Sequence, residues 1–540
     1  MLQKVSKNVK IDPLIKIYPT RDRSSLNRSK DSSGNIGPKH DRDIQTHNST
    51  KIHDVSVGFA HDIDTAKKAT VRITSHCETR DIFNPDEVAS RGRYVGTGFF
   101  INPHGHILTC HHVVSDSVKI LINTVDEGQK SFPAKIVGVY PEADLAVIKI
   151  LGYTNKLYFK LGDSECCDTE ADVVAIGYPL GGDTVKTTKG IISGVEDHLI
   201  QTDTTINGGN SGGPLLNTTY EVIGVNTSKQ VGDAVEGTGY CVPINIFKTV
   251  QEMMMIESGV ESDNKINIVY KPNFYCGFQI LEEKTALLLC HEYISRPSNK
   301  QQNESIEGYM ITYIFKSSPL AVCENPLGVY DVIMEFNGKK LDRYGNIDTE
   351  TSMGKMNIHS YVMGCKHDTP INVRYFSVKR QMIVSTTIIF RNVYNYKIPE
   401  VLFPNKINYV NLGGVVMCEL TINHITAVIR GNVDANIVNL SNMYSYILSQ
   451  NREHPVLFIS KVLPDSDAID NDHISTSECA IVTKVNGVKV RTVDDLKLSC
   501  KNYITIGDAR YILVELASRE NVTIRLPDEV NQKDSESVRA

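Results

Sequence analysis

QTDTTINGGNSGGPLLN, residues 201–217, is the stretch on which the reading of this chain turns. Ser211 lies inside Gly-Asn-Ser-Gly-Gly-Pro. Glycines on both sides let the backbone turn sharply and bring its N–H groups close to a bound carbonyl. A serine hydroxyl is a weak nucleophile until a base takes its proton. The backbone of Gly209, Asn210 and Ser211 is then placed to stabilise an oxyanion. A Gly-rich turn with an idle serine has the same spelling, so the base and the acid that orients it must be sought elsewhere.

Both stand upstream. In GTGFFINPHGHILTCHHVV (96–114) a strand is followed by a hairpin and then by Thr109-Cys110-His111-His112-Val113-Val114. In YPEADLAVIKI (140–150) Asp144 stands immediately before an apolar run. An Asp there can be buried beside an imidazole, holding its tautomer and stabilising its charged form. The chain order His112, Asp144, Ser211 is that of chymotrypsin-like double barrels, and differs from the orders of subtilisins and α/β-hydrolases. Short β-type runs surround these words, at 94–101, 106–110, 117–122, 172–178 and 221–227, separated by Gly- and Asn-rich turns. Such a pattern predicts a barrel or sandwich. Ile246, Phe247, Val250, Met253 and Met254 recur at helical spacing and predict one helix closing the domain.

The phrases GTGFFI, LTCHHVV, ADLAVIKI, AIGYPLGGDTVKTTKGIISGVE, QTDTTINGGNSGGPLLN, VIGVNTSK and GTGYCVPIN together resemble the HtrA/Deg family of ATP-independent serine proteases. They cover the protease domain almost end to end. YPLGGDTV and the long tail look most like the plant-type members, which carry two PDZ or PDZ-like domains. The resemblance implies a mainly β chain: a chymotrypsin-like double β-barrel at 56–256, then two PDZ-like α+β modules. It gives His112, Asp144 and Ser211 the roles of base, orienting acid and nucleophile, and places the oxyanion hole at Gly209, Asn210 and Ser211. The family's histidine immediately precedes a Val-Val pair, which selects His112 over His111. Six positions before the nucleophile, where trypsin-like enzymes carry an acid that selects Lys or Arg, stands Thr205. Substrate contacts are expected at Thr205, Asn226, Thr227 and Ser228. Unfolded or damaged proteins as substrates, small or medium aliphatic residues at the cut, and assembly into trimers or multiples of trimers follow from the resemblance alone.

Beyond a polar linker at 257–269 the chain repeats itself. GVYDVIMEFNG (328–338) matches CAIVTKVNG (479–487), and MITYIFKSSPLA (310–321) matches LFISKVLPDSDA (457–468). Two copies of one β-rich module, at 270–392 and 393–526, are the economical reading. The resemblance makes both PDZ-like. Tyr275-Cys276-Gly277-Phe278 becomes a carboxylate-binding loop, in which Cys276, Gly277 and Phe278 hold the C-terminus of a peptide that adds as a strand. In YVNLGGVVMCEL (409–420) the pair Gly413-Gly414 departs from the Gly-Phe pattern, so a structural or oligomer-contact role is expected of the second copy.

Composition agrees with this division. A chain of 540 residues exceeds one core, and 41% apolar with 22% charged residues is a globular balance. Net charge is −6, but residues 1–55 carry +5 and the remainder −11. The basic stretch reads as a disordered solvated arm and 527–540 as a flexible tail. No nucleic-acid partner, phosphate loop, metal or other cofactor is expected. His104, His106, His111 and His112 lack companions at ligand spacing. No run approaches a membrane span, the first residues lack a secretory apolar block, and the twelve cysteines form no framework. Those features point to the cytoplasm or nucleus. Two other readings share the motifs: a latent protease acting mainly as a PDZ scaffold or chaperone, and a processing protease for one partner.

Overall fold

The computed structural model describes residues 57–166, 168–227, 238–256, 266–295, 306–349, 354–401, 406–431, 435–464, 466, 468 and 472–527. The tail expected at 1–55, most of the linker and all but the first residue of the C-terminal tail lie outside the described residues, as does Ser228.

Two closed barrels come first. Strands β1 (Thr70–Arg80), β2 (Val88–Phe100), β3 (His106–Cys110), β4 (Ser117–Thr124), β5 (Ser131–Tyr140) and β6 (Leu145–Ile150) pair in the order β5-β4-β1-β2-β3-β6, and β5 closes on β6. The second barrel runs β8-β9-β12-β11-β10-β7, from β7 (Asp172–Gly177), β8 (Lys186–Glu196), β9 (Leu199–Thr202), β10 (Pro214–Leu216), β11 (Val222–Thr227) and β12 (Gly239–Pro243). Ile73, Ile107 and Ile122 share one face of these strands and Phe99, Leu108 and Val147 the other, and all six are fully buried, so the first barrel is covered on both faces here. Helix α2 (Ile244–Met254), which closes the region, buries Ile246, Phe247, Val250 and Met254 against this core. Each such side chain contributes about 1.5–3 kcal/mol. The short helix α1 (His111–Val114) continues directly from β3.

Register explains how distant words meet. Strand β3 pairs antiparallel with β6, setting Cys110 opposite Leu145. His112 lies two residues beyond that pair and Asp144 one residue before it, so the two fall side by side. In the second barrel Pro214 faces Val225. That puts the turn leading to β10 next to Asn226 and Thr227 at the end of β11.

The expected linker is shorter than its polarity suggests. Residues Asn267–Ile268 form β13, which adds in parallel to β5 with Asn267 opposite Gly138 and Ile268 opposite Val139. Val269 is fully buried. The apolar pair Ile268-Val269 finds a barrel edge, and that outweighs the polar residues before it.

The first C-terminal module is a sheet in the order β14 (Cys276–Ile280), β15 (Tyr309–Ile314), β16 (Val332–Phe336), β17 (Pro370–Ser377) and β18 (Met382–Ile389). The second runs β19 (Tyr409–Leu412), β20 (Val415–Glu419), β21 (Leu457–Val462), β22 (Ile481–Val485), β24 (Ala509–Leu516) and β23 (Ile504–Ile506), with β25 (Asn521–Leu526) paired to β24. Helix α3 (Ile422–Ile429) packs on the second module. The repeated Asn-Gly phrases form matching tight turns. Asn337 and Gly338 have φ of 53° and 76°, and Asn486 and Gly487 have φ of 51° and 77°. Positive φ at both central residues is what a type I′ hairpin turn requires.

Candidate active site

Asp144 follows a 3-10 turn, Pro141–Ala143, and adopts a left-handed conformation with φ of 57°. Its N–H donates to the carbonyl of Pro141 at 3.0 Å. This aims the carboxylate back at the start of α1, where three donors converge on it. The His112 N–H reaches Oδ1 at 3.0 Å, His112 Nδ1 lies 2.8 Å from Oδ2, and the Thr227 hydroxyl donates to Oδ2 at 2.9 Å. The carboxylate is buried, while the His112 side chain keeps 40% of its surface exposed. An ionised carboxylate only accepts, so Nδ1 carries the proton and Nε2 keeps its lone pair outward. Such a ring can take a proton from a hydroxyl. His111 contributes its N–H to the Asp144 carbonyl at 3.0 Å, fixing the backbone of the same corner.

The Ser211 turn is built against this corner. Gly212 has φ of 86°, and a Cβ there would strike the Thr97 carbonyl and the Thr109 hydroxyl. Gly209, with φ of 101°, lies as close to the Tyr178 carbonyl. The Ser211 carbonyl accepts from Thr97 N–H at 2.9 Å, and the Gly209 carbonyl accepts from the Thr97 hydroxyl at 2.6 Å. Gly208 accepts from Leu180 N–H at 2.6 Å, and Asn210 from Gly213 N–H at 3.0 Å. In a trans peptide the N–H points opposite to its carbonyl. The N–H groups of Gly209 and Ser211 therefore leave on the side away from those partners. Asn210 differs. Its N–H donates to the Asn207 carbonyl at 2.9 Å and its Nδ2 to the Thr205 carbonyl at 3.3 Å. The expectation that Asn210 lends its N–H to an oxyanion is corrected: that amide holds the turn together.

The pocket residues are also redistributed. Asn226 is fully buried, and its backbone is bonded on both sides, by Gly212 N–H to its carbonyl and by its own N–H to Gly213, each at 2.8 Å. Its side chain bonds Pro214 and Cys241. Asn226 is a structural brace behind the nucleophile turn. The Thr227 hydroxyl faces Asp144 rather than a substrate. Thr205 is exposed.

Thr97 was not singled out in the sequence, yet its buried side chain also accepts from Tyr178 N–H at 3.0 Å and so organises two loops at once. Its signal is the polar residue of GTGFFI, set between two glycines in the otherwise apolar run 95–101. Cys110, His112 and Asp144 place their ligand-type atoms within 4.8 Å of one another. Hydrogen bonds already engage that set, with Cys110 Sγ donating to the Asn226 carbonyl at 3.2 Å.

In the first module, Cys276, Gly277 and Phe278 begin β14, an edge strand paired only with β15 among the described residues. The Cys276 side chain points into the core, and burial pushes its thiol pKa well up. Phe278 stacks on Tyr309 with centroids 4.8 Å apart and meets His359 edge-on at 5.5 Å. In the second module the corresponding strand β20 is flanked on both sides, by β21 and by β19. Strand β19 doubles back through Gly413-Gly414 and pairs Leu412 with Val415 and Tyr409 with Cys418. It lies where an added peptide strand would lie.

Comparison with known proteins gives two family matches: a trypsin-like peptidase domain over residues 96–225 and a PDZ domain over 398–536. A probable periplasmic serine endoprotease, DegP-like, of Chlamydia pneumoniae is 34% identical over 258 residues, 46% of this chain and 47% of the relative. The serine protease Do-like HtrA of Bacillus subtilis is 37% identical over 255 residues, 45% of this chain and 53% of the relative. The chain thus spans about half the length of the curated relatives it matches. A solved HtrA-type protease, AlgW with decapeptide, is 21% identical with a TM-score of 0.42, over 64% of this chain and 98% of that one. The chain thus carries a trypsin-like peptidase domain and a PDZ domain and is similar, over about half its length, to DegP- and HtrA-type serine proteases.

Proposed function

We propose that the chain is a serine endopeptidase that cleaves unfolded or damaged proteins without a nucleotide or metal cofactor. The observation that carries this reading is the Asp144 carboxylate, gripped by Thr227 and by both the backbone and the ring of His112, beside the glycine turn of Ser211. His112 Nε2 takes the Ser211 proton as the oxygen attacks a peptide carbonyl. The tetrahedral oxyanion is stabilised by the N–H groups of Gly209 and Ser211. His112 then returns the proton to the leaving amine, and water releases the acyl group. Removing an oxyanion donor typically costs about 3–4 kcal/mol of transition-state stabilisation.

The open edge of β14 supports capture of a peptide C-terminus by the first module, whereas β19 supports a structural role for the second. The buried thiols of Cys110, Cys241, Cys276 and Cys418 suit a reducing compartment, and we place the protein in the cytoplasm or nucleus. Trimeric assembly belongs to the same proposal. None of the helices among the described residues is long and apolar enough to cross a membrane.

The test is a casein digest by wild type and by Ser211→Ala, with cut sites mapped by mass spectrometry and a fluorophosphonate probe in parallel. The expected result is cleavage after small or medium aliphatic residues and probe labelling, both abolished in Ser211→Ala. Absence of labelling in wild type, even with unfolded substrate present, would overturn the assignment.

A further inference from the structure

Two residues before Asp144, Glu142 is a half-buried residue whose carboxyl group is turned inward. Its Oε1 accepts from the Lys271 N–H at 3.4 Å, and its Oε2 is buried without a hydrogen-bond partner. The hydroxyl of fully buried Tyr140 is likewise without a partner. A buried carboxyl oxygen without a partner is costly, and its retention calls for a reason.

The surroundings of Glu142 supply one. Lys271 lies in the segment that leaves the barrel for the first PDZ-like module. Just before it, β13 is paired to the end of β5, and Val269 N–H donates to the Val139 carbonyl at 2.9 Å. The far end of the module grips the same segment. Tyr270 N–H donates to Asn392 Oδ1 at 2.8 Å, and Asn392 Nδ2 donates to the Ile268 carbonyl at 2.9 Å. On the other side of Glu142, the Pro141 carbonyl holds Asp144 N–H. A continuous run of bonds thus joins Asn392, which follows the last strand of the module, through residues 268–271 and Glu142, to the turn that presents Asp144.

We infer that Glu142 is a positioning residue, fastening the segment that leads into the first PDZ-like module to the turn that carries Asp144. The inference rests on the proposed protease reading for its catalytic consequence, but the fastening itself does not. The groups that face Glu142 are Tyr140 on β5, Lys271 and Tyr275 on the incoming segment, and Tyr394 and Glu400 on the stretch between the modules. Burial raises the Glu142 pKa to about 7, with Glu400 adding to the rise and the Lys271 contacts opposing it. At 3.4 Å the bond to Lys271 is loose. A charged acceptor makes shorter bonds, roughly twice as strong as a neutral one. Ionisation near neutral pH tightens the fastening, and protonation relaxes it.

Two measurements test this, one independent of activity. Hydrogen exchange of the full chain at pH 8 should show faster exchange of the 139–145 and 267–271 amides together in Glu142→Gln than in wild type. In peptide hydrolysis, Glu142→Gln should lower kcat roughly fivefold at pH 8 with KM unchanged, and match wild type near pH 6. The acid limb of kcat against pH should be steeper in wild type than in Glu142→Gln, the two curves converging toward pH 6 as the fivefold difference is lost. Asn392→Ala, which cuts the other end of the same run, should lower kcat similarly, and its effect should not add to that of Glu142→Gln. Unchanged exchange in both segments overturns the fastening. Changed exchange with an unaltered acid limb overturns its role in positioning Asp144. An inactive wild type with the expected exchange pattern overturns only the protease reading.

Discussion

At the scale of single residues, Thr227 shows what a non-local contact does to a sequence reading. Strand β11 is buried at every position, and nothing in VIGVNT says which partner its last side chain meets. The hydroxyl turns out to face Asp144, 83 residues away in the chain. Thr227→Val keeps the shape and deletes the donor, leaving a buried carboxylate one bond short. The loss of such a bond costs about 1.5–3 kcal/mol. The variant should lose roughly tenfold in kcat with KM little changed, and Thr227→Ser should recover most of the rate. Steady-state kinetics on a short peptide decides it; a Thr227→Val enzyme with wild-type kcat would remove the hydroxyl from the machinery. The pairing of His112 with Asp144, by contrast, was legible, because each stands beside a run that can only be a barrel strand. Once β3 and β6 pair, the two side chains have nowhere else to go. Asn210 and Asn226 were misread because their residue type suits a pocket as well as it suits a brace, and only the hydrogen bonds distinguish the two.

At the scale of elements, the strand boundaries and the Asn-Gly hairpins were readable from local chemistry alone. What was missed is the meaning of Gly413-Gly414. A glycine pair flanked by alternating apolar residues is itself a hairpin signal. In the sequence it stands out first as a departure from a carboxylate-binding loop. The resulting hairpin gives β20 a neighbour on the side that β14 leaves open in the first module. A strand can add only where N–H and C=O groups are unpaired. A hydrophobic peptide with a free C-terminus and a photoreactive side chain should therefore crosslink to residues 274–280 of the full chain and not to 409–419. Amidating the peptide removes the charge-assisted bonds to its carboxylate, and labelling should fall by roughly tenfold or more. Crosslinks concentrated on the second module would reverse the assignment of the two copies.

At the scale of the whole molecule, the second module is docked on the first barrel by the loop between β1 and β2. Phe83 packs edge-on against His424 and Phe458, Lys461 lies 3.6 Å from Asp81, and the Tyr409 hydroxyl donates to Asp86. None of this is written locally, since residues some 340 positions apart must meet. The centre of the contact is His424. Its Nδ1 accepts from Thr421 N–H at 3.1 Å, and its Nε2 lies 2.7 Å from the Ile82 carbonyl. An amide can only donate and a carbonyl can only accept, so the ring is held neutral with its proton on Nε2. Protonating Nδ1 would set its N–H against the Thr421 N–H, leaving only the Thr421 hydroxyl, 2.8 Å away, to accept it inside the protein. Burial accordingly lowers the His424 pKa to about 4 from 6.5, against smaller opposing effects of the Ile82 bond and Asp81. The sign follows. Between those values the unfolded chain binds the extra proton and the native chain does not, so stability increases with pH across the window. The contribution is complete above pH 6.5 and is lost as pH falls toward about 4, an effect on the order of 3 kcal/mol. Thermal unfolding from pH 7.5 down to 5 should show wild type losing stability faster than His424→Gln, which keeps polar atoms at the contact but cannot titrate. Hydrogen exchange should place the first acid-induced opening in residues 81–87 and 421–424 together, ahead of the barrels. Equal pH slopes for the two proteins would show that the docking is held by the aromatic packing and the Asp81 and Asp86 contacts, and not by the neutral ring.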